Sequence, residues 1–141
     1  MAVFHAVKNI NPVQTHPLTT TFTISKGVPV RLAAGVVTVC ATNVMDCLGV
    51  AHETVASGNS GYIKVLPAQG PNGTTLFKSA NTTIASTSTG ITYLLVMATN
   101  AATVGAANTT VGPFYAVTAD GTDVYGYLTG NAFQGNLSLT A

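Results

Sequence analysis

The sequence predicts an all-β fold, a small antiparallel β-barrel or sandwich that contains little helix. Thr, Val and Ile are frequent, and β-branched side chains suit the pleated surface of a sheet. The 14 Gly and 6 Pro residues recur at short intervals and leave little room for long helices. The short apolar runs do not alternate with helical patterns, as they would in a βαβ protein. Many short strands joined by turns therefore predict a barrel or a sandwich.

The first 17 residues predict an extended N-terminal arm, and residues 18–141 predict a single β-domain. The arm contains Pro12 and Pro17 among several polar residues, so we expect it to be too polar and too interrupted for a core. From residue 18 to residue 24, apolar side chains alternate with threonines, which is typical of a half-buried strand.

The later strands are predicted from short apolar runs that end at Gly, Pro, Asn or Asp. Residues 91–99 predict the most buried strand, whereas residues 100–107 predict a loop or one helical turn. Asp120-Gly121 predicts a hairpin turn. The other predicted strands are 29–32, 36–41, 48–51, 62–66, 75–78, 114–119, 124–129 and 137–139.

A faint internal similarity links two of these strands. Asp46 and Gly49 have the same spacing as Asp123 and Gly126. This Asp-x-x-Gly spacing records either a duplication or the recurring pattern of β-hairpins.

Charge is scarce, and its scarcity excludes several partners. Only 6% of the residues are charged, against about 25% in an ordinary soluble domain. The net charge is +1 and the five cations are dispersed, so no nucleic-acid partner is expected, because phosphates require a basic face.

The longest apolar run, residues 93–98, is far below the roughly 20 residues of a spanning helix, so no membrane partner is expected. The N-terminus lacks the pattern of a secretion signal, which predicts synthesis in the cytoplasm.

The sequence predicts no catalytic residue, no metal site and no cofactor. His52 and Glu53 adjoin, but neighbours on a strand point to opposite faces, so we expect a solvated pair. His5 and His16 could join His52 around a metal ion, but their spacing does not support such a site.

Two further pairs each have two interpretations. Asp120 and Asp123 either bind a cation or form a turn, and Asp is a common turn residue. Cys40 and Cys47 form a disulfide if they face each other across a hairpin. Without a secretion signal, thiols in or near a core are favoured.

Three tyrosines predict a contact patch. Tyr125 and Tyr127 share one face of a predicted strand, and Tyr62 begins another. Such rings stack on sugars or bases, but they also stabilise sheets as cross-strand pairs. Both interpretations are open from the sequence.

The segment from residue 26 to residue 67 carries a resemblance to a known family. It reads Lys-Gly-Val-Pro-Val-Arg-Leu, then Gly-Val-Val at 35–37, Leu-Gly-Val-Ala at 48–51, Ala-Ser-Gly at 56–58 and Tyr-Ile-Lys-Val at 62–65. This order of short motifs resembles the small β-barrel module of head decoration (capsid cement) proteins of tailed bacteriophages. In that family an acidic residue often follows the Ala-x-Gly turn, whereas Asn59 follows here. The resemblance implies a non-enzymatic protein, often a trimer, that stabilises an icosahedral shell from outside.

From the resemblance we expect a virion protein made in the host cytoplasm and located on the capsid exterior, with the major capsid protein as its partner and a homotrimer as its oligomeric state. The N-terminal arm is the expected contact with the capsid. The expected contact residues are Val3, Phe4, His5, Val7, Asn9, Ile10, Asn11 and Pro12. The alternatives are another virion subunit, of a tail tube or head fibre, and a carbohydrate-binding adhesive module.

Overall fold

The structure is a computed structural model that describes residues 4–19, 23–40, 47–80, 84–98, 101–108 and 113–128. The described residues form strands and no helix, which confirms the predicted all-β class. The strands are β1 (His5–Lys8), β2 (Gln14–Thr19), β3 (Pro29–Ala33), β4 (Val36–Val39), β5 (Cys47–Ala51), β6 (Ser60–Pro67), β7 (Gln69–Gly70), β8 (Gly73–Thr74), β9 (Leu76–Ala80), β10 (Thr92–Ala98), β11 (Ala101–Asn108), β12 (Phe114–Ala119) and β13 (Asp123–Leu128).

Five strands form a closed barrel in the order β2-β4-β3-β5-β6, which is one of the two architectures that the sequence predicts. Neighbouring strands are antiparallel except β2 and β4, which meet in parallel. Side chains alternate along β6: Ile63 and Val65 point into the barrel core, whereas Tyr62 and Lys64 are exposed. This period of two places Ile63 and Val65, two residues apart on β6, in the barrel core.

The second large sheet has six strands in the order β1-β9-β13-β12-β10-β11, and it packs against the outside of the barrel. Phe77 and Phe114 are fully buried on its inner face. Phe4 packs edge-to-face against both rings, with centroid distances of 6.4 and 5.6 Å. Val50 and Leu66 of the barrel join the same cluster, so one continuous core connects the sheet to the barrel.

Strand β5 is buried along its whole length because it lies between these two cores. Leu48 and Ala51 belong to the barrel core, whereas Cys47 and Val50 belong to the core beneath the sheet. Burial on both faces explains why this strand reads as a continuous apolar run without alternation.

Two segments differ from the sequence-based expectations. Two parts of the expected N-terminal arm form strands of the fold: β1 pairs with β9, and β2, which crosses the expected boundary after residue 17, is a barrel strand paired with β6. The loop or helical turn expected at residues 100–107 is wrong for the described part of this stretch, since residues 101–107 lie in β11. Strand β10 pairs with β12 only through Thr92 and Tyr93, whereas it pairs with β11 from Thr92 to Ala98. The predicted strand 137–139 lies outside the described residues.

Candidate functional site

The N-terminal segment divides into buried and exposed side chains. Phe4 and Asn11 are each only 2% exposed, so they lie inside the molecule and do not face a partner in this fold. Their burial corrects the expectation that the whole segment is too polar for a core, because Phe4 fills the core and Asn11 has hydrogen-bond partners. Val3 lies outside the described residues. The other expected contact residues are all exposed: His5, Val7, Asn9, Ile10 and Pro12.

The exposed part of this segment carries an apolar strip, which we define as Val7, Ile10 and Val13. These side chains are 43%, 52% and 41% exposed, and they are three of the seven large hydrophobic side chains exposed in the described part of the chain. Ile10 and Val13 border a cavity of about 270 Å³, whose wall also contains His5 and His52. Three exposed apolar side chains within seven residues favour an interaction site on this segment.

A hydrogen-bonded asparagine clamp, Asn11 and Asn72, fixes the backbone beneath the strip. The Asn11 Nδ2 donates to the carbonyl oxygen of Gly73 (2.9 Å) and to Thr75 Oγ1 (3.0 Å), and its Oδ1 accepts from the Asn72 amide (2.8 Å). The Asn72 Nδ2 donates to the carbonyl oxygen of Ile10 (2.8 Å). Because Asn11 is buried and its amide is satisfied, the segment is held against the β7–β8 hairpin in one conformation.

A second feature is an open cavity of about 500 Å³, the tyrosine groove. Tyr115 and Tyr127 lie directly opposite each other on β12 and β13, and both line it. Side chains with amide and hydroxyl groups line it as well. The described lining residues are Asn9, Gln69, Thr74, Tyr115, Tyr127 and Leu128.

The structure places the three tyrosines of the predicted patch in different surroundings. Tyr127 lines the tyrosine groove. Tyr125 lies opposite Thr118 and is not among the described lining residues. Tyr62 is 71% exposed on β6 of the barrel. The predicted patch omitted Tyr115, and a β-bulge in β12 is what sets this ring opposite Tyr127.

The carboxylates have local structural roles. Asp120 Oδ1 accepts hydrogen bonds from the backbone amides of Asp123 and Thr122 (2.7 Å each), which hold the pKa of this carboxyl below its usual range. This geometry fits the turn interpretation of the pair. Glu53 Oε2 accepts from the backbone amide of Lys64 (2.9 Å) at an exposed position.

The histidines do not converge on one point. His5 and His52 border the same cavity, whereas the His16 Nε2 lies 2.9 Å from Gln14 Oε1 on β2. Burial lowers the pKa of His16. Within the described ranges, no three His, Cys, Asp or Glu side chains are grouped as a metal ion requires.

Cys40 and Cys47 are buried thiols rather than a disulfide, and their Sγ atoms are 2.8 Å apart. Both belong to the core beneath the sheet. This position agrees with the favoured interpretation of core thiols.

Neither protein-family models nor curated proteins give a match to this chain. No helix in the described part of the chain has the length and apolar character needed to cross a membrane. Among the described residues, the two surface features that remain as candidates for function are the apolar strip and the tyrosine groove.

Proposed function

We propose that this chain is a structural virion protein, a decoration or cement protein that binds the outside of an icosahedral phage capsid and stabilises it. It acts as a homotrimer, its partner is the major capsid protein, and it has no enzymatic activity. The chain is made in the host cytoplasm and functions on the capsid exterior. The observation that carries this proposal is a fixed, exposed apolar strip on a protein with very little charge.

The distribution of charge supports dense packing on a shell. No Lys, Arg, Asp or Glu occurs between Lys78 and Asp120, a stretch that spans the hairpin of β10 and β11 and most of β12. A neutral surface does not repel neighbouring copies and does not depend on salt for contact.

The position of the family resemblance also supports the proposal. The resembling segment, residues 26–67, coincides with β3 to β6, which are four of the five barrel strands. The short motifs therefore belong to one structural unit, the barrel, and the segment that carries the apolar strip leads directly into its strand β2.

The asparagine clamp gives the strip a physical advantage as a docking surface. A segment that is already ordered loses less conformational entropy on binding than a free arm does. The strip can therefore contribute most of its apolar area to the capsid contact.

The test is binding of the purified protein to empty capsids of the matching phage, measured by co-sedimentation. A triple variant, Val7→Thr, Ile10→Thr and Val13→Thr, keeps β-branched side chains but removes apolar surface. We expect it to bind at least about tenfold more weakly. The control is Leu32→Thr, an exposed apolar residue on β3 of the barrel.

Ionic strength provides a second readout of the same experiment. Because the strip is uncharged, wild-type binding should change little between low and high salt. Binding of the triple variant at wild-type strength, or a steep loss of wild-type binding in salt, would contradict the proposed contact. Failure of the wild-type protein to bind the capsid at all would reject the decoration function.

A further inference from the structure

We propose that the tyrosine groove is a binding site for a neutral saccharide. This inference concerns a different surface from the apolar strip and does not depend on the capsid proposal. It rests on three features of the groove: a pair of opposed tyrosines, a wall of amides and a hydroxyl, and the absence of charge among the described residues that line it.

The tyrosine pair provides an apolar surface of the right kind. Tyr115 and Tyr127 are direct cross-strand partners, so their side chains project from the same face of the sheet. Tyr115 is 37% exposed and Tyr127 is half-buried, so ring surface remains accessible. A tyrosine offers an apolar ring and a polar hydroxyl, which matches the apolar faces and hydroxyl rim of a sugar ring.

The other described lining residues supply polar groups. Asn9 and Gln69 carry amides that both donate and accept, and Thr74 carries a hydroxyl. The Asn9 Nδ2 donates to the carbonyl oxygen of Thr74 (3.3 Å), and the Asn9 carbonyl oxygen accepts from Thr75 Oγ1 (3.2 Å). These bonds tie the N-terminal segment to β8. A ligand therefore meets polar groups that are already positioned.

Close packing behind the wall keeps it in place. A Cβ atom added to Gly70, between Gln69 and the hairpin turn, would lie 2.7 Å from Asn11 Oδ1 and 2.8 Å from Asn11 Cγ. Because Gly70 has no side chain, the buried Asn11 can pack closely against the β7–β8 hairpin. The polar wall of the groove is therefore continuous with the asparagine clamp.

The chemistry of the groove selects among ligand classes. No cationic side chain is among its described lining residues, so an anion such as phosphate or a carboxylate would lack a partner. A peptide in extended form needs a free strand edge, but β13 is paired on both sides, with β12 and with β9. A lipid chain would offer no hydrogen-bond partner to the amide of Gln69 or the hydroxyl of Thr74. A neutral saccharide satisfies both the rings and the amides.

The first experiment applies the labelled full-length protein to an array of neutral and acidic glycans, and the strongest neutral glycan is then titrated by calorimetry. We expect Tyr115→Ala and Tyr127→Ala each to weaken binding by at least about tenfold. Tyr125→Ala and Tyr62→Ala are the matched controls, since both remove a tyrosine outside the described lining of the groove, and they should bind like the wild type.

A milder pair of variants separates loss of binding from loss of fold. Gln69→Ala removes one amide from the wall. Asn9→Gly removes a second amide, and glycine tolerates the positive φ of 55° at this position. Both should weaken binding severalfold while the thermal unfolding curve stays close to wild type. The proposal is overturned if no neutral glycan binds, if only acidic glycans bind, or if the Tyr115 and Tyr127 variants bind like the controls.

Discussion

Gly126 occupies a position at the centre of β13 where no side chain fits. An added Cβ would lie 2.1 Å from the carbonyl oxygen of Tyr115 and 2.6 Å from Cζ of Phe114. Gly49, in the middle of β5, is similar, since its Cβ would lie 2.0 Å from the carbonyl oxygen of Leu66. The two Asp-x-x-Gly motifs of the sequence thus mark two strands in which a neighbouring backbone approaches closely.

The variant Gly126→Ala tests this close approach. We expect it to lower the free energy of unfolding by about 3 kcal/mol or more, because neither the Tyr115 backbone nor the buried Phe114 ring can move away easily. Gly121→Ala is the control in the adjacent turn, where an added Cβ meets nothing within 4 Å. Urea unfolding followed by circular dichroism measures both. Equal stabilities of the two variants would show that the packing around Gly126 is looser than the structure indicates.

At the scale of single elements, β5 links the two cores and controls the environment of the cysteines. Cys47 begins β5, and Cys40 follows β4, with its amide bonded to the carbonyl oxygen of Pro29 (3.0 Å). The two thiols therefore come from elements flanking β3 and are shielded by the six-stranded sheet.

This shielding predicts slow thiol chemistry in the folded protein. We expect both cysteines to react with a thiol reagent far more slowly in the native state than in urea, since buried thiols are inert. Oxidation with diamide should give an intramolecular disulfide and raise the free energy of unfolding by about 2 kcal/mol through loop closure. Mass spectrometry and urea unfolding measure these outcomes. Rapid native labelling of both thiols would contradict the burial.

At the scale of the whole molecule, strand edges bear on assembly. The barrel is closed and presents no free edge, whereas the six-stranded sheet ends at β1 and β11 within the described residues. An unpaired edge favours pairing with another copy of the chain, and closed symmetry is the common way to cover such edges.

The oligomeric state distinguishes the proposed trimer from its alternatives. Light scattering should give a mass of about 43 kDa, three times the 14.3 kDa of one chain, independent of protein concentration over the measured range. A mass that grows with concentration would favour a head-to-tail polymer such as a tail-tube or head-fibre subunit. A mass of one chain would reject the trimer.

The all-β class and most of the barrel strands could be predicted from the sequence, whereas the choice between a barrel and a sandwich could not. These features depend on local patterns such as the apolar run of β5, which indicates residues that become buried on folding. The alternation from residue 18 to residue 24 is a weaker guide, since β2 runs from Gln14 to Thr19 and Ile24 forms only an isolated bridge with Val55. The scarcity of charge can also be seen from the sequence, because it is a property of composition.

Which surface residues meet depends on contacts between distant parts of the chain. The burial of Phe4 and Asn11 depends on partners more than 60 positions away, such as Gly73 and Phe77, which no local pattern specifies. Strand β11 forms because β10 offers it an edge, although its small residues favour a loop. In the same way, one bulged residue in β12 shifts the register so that Tyr115 rather than Ala116 faces Tyr127. A shift of one residue exchanges the two faces of a strand, so the tyrosine groove could not be read from the sequence.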